Sequence, residues 1–98
     1  MLKMTRLSQD EIKIRNIIGE NLKLIRKKSG LTQVELAEKL DCTFQQIQKY
    51  EKARNTLSCL KLKKLSDIFN VPVERFYFPM EVTSSVQVVN NIETQIGN

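Results

Sequence analysis

Three times within residues 1–79 the chain sets a hydroxyl residue three positions ahead of a glutamate or glutamine: Ser8 before Glu11, Thr32 before Glu35, and Thr43 before Gln46. A helix leaves its first four backbone N–H groups without partners. The hydroxyl takes one of them, and the carboxylate or amide reaches back to the N-cap N–H, so each pattern marks a helix start. The residues behind each start confirm the period. Ile14, Ile18, Leu22 and Ile25 recur at spacings of 4, 4 and 3, with Ile17 and Leu24 flanking. Arg26, Lys27 and Lys28 suit the negative end of that helix, and Gly30 stops it. Gly19 lies inside and weakens it, so its first turns are expected to be separable or bent. The second start opens a short helix through Leu40, with Leu36, Ala37 and Leu40 inward. Ala37 leaves room for another helix to approach, and Asp41 and Cys42 form the turn. The third start opens a helix ending near Lys52 or Ala53, followed by the loop "RNTL". Ser58 caps a fourth, with Leu62, Leu65, Ile68 and Phe69 inward and Asn70 and Pro72 breaking it. "VERFYF" reads as a fifth, with Val73, Phe76 and either Tyr77 or Phe78 closing the core. The expected fold is all-α, with five helices over roughly 9–28, 32–40, 43–52, 58–69 and 73–78.

A chain of 98 residues is one domain by default, and it buries a core without staples only if most of it folds. The expected domain is 1–79. All 16 Lys and Arg lie there against nine of the eleven acids, leaving +7, while residues 80–98 hold two acids and no base, leaving −2. That last segment is polar and weakly periodic, and reads as a disordered tail or as an arm for a dimer or partner. A basic folded part points to a polyanion, with nucleic acid first and an acidic membrane surface second. There is no apolar run long enough to span a membrane and no secretory signal pattern at the N-terminus. Cys42 and Cys59 read as free thiols of a cytoplasmic protein. With no histidine and two cysteines, neither a metal site nor another cofactor is expected.

Two short helices joined by a tight turn inside a small basic domain are the arrangement of a helix-turn-helix. Projected at 100° per residue, the segment "TFQQIQKYE" turns Ile47 and Tyr50 to the core, with Phe44 at its edge. Gln45, Lys49 and Lys52 point the other way, flanked by Gln46 and Gln48. Glutamine amides donate and accept at once, which matches the adenine edge in a major groove, and lysines reach guanine edges or phosphates. Phe44 is placed to touch a thymine methyl. The plainer reading stands beside this one: capping alone explains Gln46, solvation explains Gln48, and Gln45 and Lys49 fit an ordinary wet surface. Glu51 projects to the inward side, where a carboxylate needs a partner. Arg26 is the best candidate, because its planar fork can hold a carboxylate bidentately. Otherwise Glu51 is exposed at a frayed end.

The stretch "LTQVELAEKLDCTFQQIQKYEKARN", with "IGENLKLIRKKSGLTQ" before it and "LKLKKLSDIFNVPVERFYF" after it, resembles the Cro/C1-type (Xre-like) helix-turn-helix regulators of phage and bacteria over roughly residues 14–78. The resemblance implies a five-helix fold and a homodimer on a palindromic double-stranded DNA operator. It implies base reading by Phe44, Gln45, Gln46 and Lys49. The expected phosphate contacts are Gln33, Thr43, Lys52, Arg54 and Asn55, with backbone amides at the helix N-terminus near Gln33 also facing a phosphate. Arg26 and Glu51 match the family's buried ion pair. The sequence departs from the family at Asp41 and Ala53, where glycine is usual, and at Phe44, where a polar reader is usual. Aspartate tolerates a left-handed backbone better than most residues.

The expected function is a sequence-specific DNA-binding transcriptional regulator of repressor type. The alternative is an antitoxin or adaptor whose tail, 80–98, folds on a protein partner. An enzyme is the weakest reading: there is no histidine, no base beside either cysteine, and no glycine-rich phosphate loop.

Overall fold

A computed structural model describes residues 8–79, and these residues are all helix, turn and loop. The expectation for the tail, 80–98, lies outside them. Helix α1 runs Gln9–Lys28, α2 Gln33–Leu40, α3 Phe44–Glu51 and α4 Cys59–Phe69, followed by one 3₁₀ turn, Val73–Phe76. Four expected helices therefore stand within a residue of their sequence boundaries; the expected starts at 32, 43 and 58 are N-caps. The fifth is shorter than 73–78. Pro72 enters it without a side-chain cap, and the Tyr77 N–H closes back on the Glu74 carbonyl after a single turn.

The first two capping boxes form in full. The Ser8 hydroxyl accepts the Glu11 N–H at 3.1 Å while Glu11 accepts the Ser8 N–H at 3.0 Å. Thr32 and Glu35 repeat the exchange at 3.0 and 2.8 Å. The third forms by half: the Thr43 hydroxyl accepts the Gln46 N–H at 3.1 Å, but the Gln46 amide turns elsewhere.

The helix ends share one device. Gly30, Asp41, Ala53 and Asn70 each take a left-handed backbone, with φ of 76°, 60°, 60° and 56°. The next residue's N–H then reaches back five positions: Leu31 to Arg26 at 3.2 Å, Cys42 to Ala37 at 3.0 Å, Arg54 to Lys49 at 2.8 Å, and Val71 to Ser66 at 3.1 Å. These bonds cover carbonyls that a helix end leaves open. The Asp41 turn forms without glycine, as its tolerance of this backbone allows.

The core gathers Leu22 and Ile25 from α1, Leu36, Ala37 and Leu40 from α2, Ile47 and Tyr50 from α3, Leu57 from the loop, Leu62 and Leu65 from α4, and Phe76. Three expectations are corrected. Ile14 is 48% exposed, because the first turns of α1 run past the core. Of the final aromatics Phe76 alone is buried, while Tyr77 and Phe78 are exposed. Gly19 does not break α1, which is continuous. Its role is approach: a Cβ there would sit 2.7 Å from the Tyr50 carbonyl oxygen and 2.9 Å from that of Glu51. No side chain fits between those backbones without moving α1 from α3. Asn21, on another side of α1, is buried and donates to the carbonyls of Phe76 at 3.0 Å and Phe78 at 2.7 Å. It ties the last segment to the first helix.

Candidate nucleic-acid interface

The inward edge of α3 is fixed from three sides. Ile47 and Tyr50 enter the core, and burial pushes the Tyr50 phenol above its ordinary pKa. Glu51 is buried and meets Arg26 bidentately: Arg26 Nε donates to Oε2 at 2.6 Å and Nη2 to Oε1 at 3.1 Å. The third guanidinium nitrogen, Nη1, donates to the Leu31 carbonyl at 2.9 Å. A buried pair is costly unless its remaining groups are satisfied, and here they are. The geometry supports the partner expected for Glu51.

Gln33 completes the cluster. Its Nε2 donates to Glu51 Oε1 at 2.9 Å. The one carboxylate thus joins the end of α1, the first residue of α2 and the last of α3. An amide nitrogen carries two hydrogens, so Gln33 keeps a second donor for another acceptor. Sequence reasoning missed this bond, because nothing local pairs residues 18 positions apart.

The outward edge is different. Gln45, Lys49, Lys52, Arg54 and Asn55 are exposed, and Phe44 is 36% exposed at the rim of the core. Gln48 is half-buried rather than solvated. The ion pairs among the described residues are Arg26–Glu51 and Lys63–Asp67, so none occupies Lys49, Lys52 or Arg54. Gln46 does not serve as the second half of a capping box. Its Nε2 donates to Asn55 Oδ1 at 3.1 Å, bridging α3 to the loop behind it. Two residues expected at DNA thus hold each other, and each keeps further polar capacity outward. Thr43 is exposed, with its hydroxyl engaged in the cap.

The turn carries Cys42, whose thiol burial pushes above its ordinary pKa, so at neutral pH it is protonated and a poor nucleophile. Cys42 and Cys59 are unbridged. Among the described residues no group of His, Cys, Asp or Glu is arranged to hold a metal ion, and no helix is long and apolar enough to cross a membrane.

An eight-residue helix lying against a second of equal length across a three-residue turn, with its polar edge free, is a helix-turn-helix, and the family described by that name matches residues 22–76. The chain belongs to the Cro/C1-type helix-turn-helix regulator family. An uncharacterized HTH-type transcriptional regulator of Sinorhizobium medicae is 45% identical over 60 residues, 61% of this chain and 43% of that protein. Another, of Rickettsia prowazekii, is 35% identical over 78 residues, 80% of this chain and 60% of that protein. The helix-turn-helix match therefore spans less than two thirds of either relative. The solution structure of the SOS-response transcriptional repressor LexA from Eubacterium rectale is similar in fold. Its TM-score is 0.65 at 26% identity, over 69% of this chain and 72% of that one.

Proposed function

We propose that this helix-turn-helix protein is a sequence-specific regulator of transcription that binds double-stranded DNA, with α3 in the major groove. The observation that carries the reading is the contrast across α3: a buried, bidentate anchor on one edge and an unpaired row of Gln45, Lys49 and Lys52 on the other. Phe44, Gln45, Gln46 and Lys49 read base edges. Gln33, Thr43, Lys52, Arg54 and Asn55 hold phosphates, and the Glu51 carboxylate fixes the amide of Gln33 for that purpose. The Gln46–Asn55 bond sets a reader against a phosphate contact, so groove depth and backbone register are fixed together.

Repression is the favoured sign of regulation, in keeping with the name of the LexA neighbour. A homodimer on a palindrome, working in the cytoplasm, completes the reading. The test is selection from random duplex DNA near physiological salt. An enriched palindrome, with half-sites about one helical turn apart, is the expected result. Binding that appears only at low salt, with no enriched sequence, would refute base reading and move the assignment to a protein-partner module acting through residues 80–98.

A further inference from the structure

Arg15 lies outside the helix-turn-helix, on α1, and is half-buried. Its Nε is fully shielded from solvent and has no hydrogen-bond partner. A buried donor without a partner costs stability, and a methionine or leucine would fill the same space without that cost. Nor is Arg15 held by a carboxylate, because the ion pairs among the described residues lie elsewhere. The acid one turn earlier, Glu11, has its Oε1 engaged by the Ser8 N–H at 3.0 Å. Arg15 thus has a fixed stem and a guanidinium with no anion.

Its position says where that guanidinium works. At 100° per residue Arg15 shares one stripe of α1 with Gly19, Leu22 and Arg26. Contacts along this stripe advance along α3 toward the loop behind it. Arg26 meets Glu51, and the Gly19 position lies against the carbonyls of Tyr50 and Glu51 and the Ala53 nitrogen. Arg15 is one turn beyond Gly19 on that stripe, and continuing the same direction leads toward the segment that carries Lys52 and Arg54. We infer that Arg15 is a DNA-phosphate ligand contributed by α1, extending the backbone contacts of the loop after α3. The inference rests on the DNA-binding reading above. It makes the first helix part of the interface, not only its support. The terminal Nη groups supply the contact, while the packed stem limits the rotamer freedom lost on binding.

The experiment uses the full chain, the duplex enriched by selection and a scrambled duplex, titrated over a series of salt concentrations. A phosphate contact releases condensed counterions, so losing one lowers the salt slope of binding by about 0.9. Arg15→Gln should show that shallower slope and about fivefold weaker binding near 0.15 M salt, equally on both duplexes. Arg15→Lys should retain the slope. The melting temperature separates this from a structural role, and Arg15→Gln should melt no lower than the parent. An unchanged slope, with or without a lower melting temperature, overturns the inference while leaving the DNA reading intact. Failure of the parent chain to bind any duplex overturns both.

Discussion

The two edges of α3 are eight residues of one helix built to opposite standards. On the inward edge the charged groups have their partners: Glu51 accepts from Arg26 twice and from Gln33 once, and Arg26 turns its remaining nitrogen to Leu31. On the outward edge Gln45 and Lys49 have solvent. The difference separates two tasks that one helix must perform. An edge that holds position has to be over-determined, since a reading helix displaced by 1 Å loses the geometry of a bidentate base contact. An edge that reads must keep donors and acceptors free for the groove, as Gln45 and Lys49 do, and Gln46 does with the polar capacity left beyond its bond to Asn55.

The strongest way to break this contrast is at Glu51. Glu51→Ala leaves the Arg26 guanidinium buried without its anion, which should cost about 3–5 kcal/mol in urea unfolding. Replacing both residues by methionine should return much of that loss. If the single variant were as stable as the parent, the anchor assignment would fail. The outward edge should respond in the other currency. Gln45→Ala should leave urea unfolding within about 0.5 kcal/mol of the parent. It should reduce discrimination at one base pair by roughly 1–3 kcal/mol, measured by competition between the operator and its single-base variants. Unaltered base preference would remove Gln45 from the readers. The smallest effect is expected where the two edges join. Ala53 holds a left-handed backbone that costs a side-chain residue roughly 1–2 kcal/mol. Ala53→Gly should therefore raise stability by about 1 kcal/mol, less glycine's greater entropy in the unfolded chain. A loss of stability would mean that the Ala53 methyl has packing that outweighs its strain.

Much of this arrangement was legible in the chain because it is local. A cap involves residues three apart and a helical stripe residues three and four apart, so the four helices, the Asp41 turn and the inward set Leu22, Ile25, Ile47 and Tyr50 follow from short windows. The Arg26–Glu51 pair was legible for another reason: an inward carboxylate requires a cation, and few cations end a helix nearby. What escaped depends on which surfaces meet. Gly19 is a weak helix former until α3 is known to cross there. Asn21 looks like an interruption of an apolar stripe until the carbonyls of the last segment arrive. Gln46 had two local explanations, capping and base reading, and its bond to Asn55 is a third that arises only once the loop folds back. Spacing points Ile14 and one of Tyr77 and Phe78 inward, yet the core ends before it reaches any of them. Periodicity gives a direction and not the extent of what lies there.

The four left-handed stops carry a consequence for how the molecule assembles. Each reversal of the chain is closed by a backbone bond spanning five residues, at Leu31, Cys42, Arg54 and Val71. Closing loops this short loses little chain entropy, and proteins dominated by near-neighbour contacts cross their folding barrier quickly. The hypothesis that follows is relaxation on the order of microseconds to milliseconds, as for other helical domains of low contact order. A temperature jump would measure it, and a phase lasting seconds would show that the turns wait for the core. On this view the corners come first, and the later collapse only has to bring together helices already heading in the right directions.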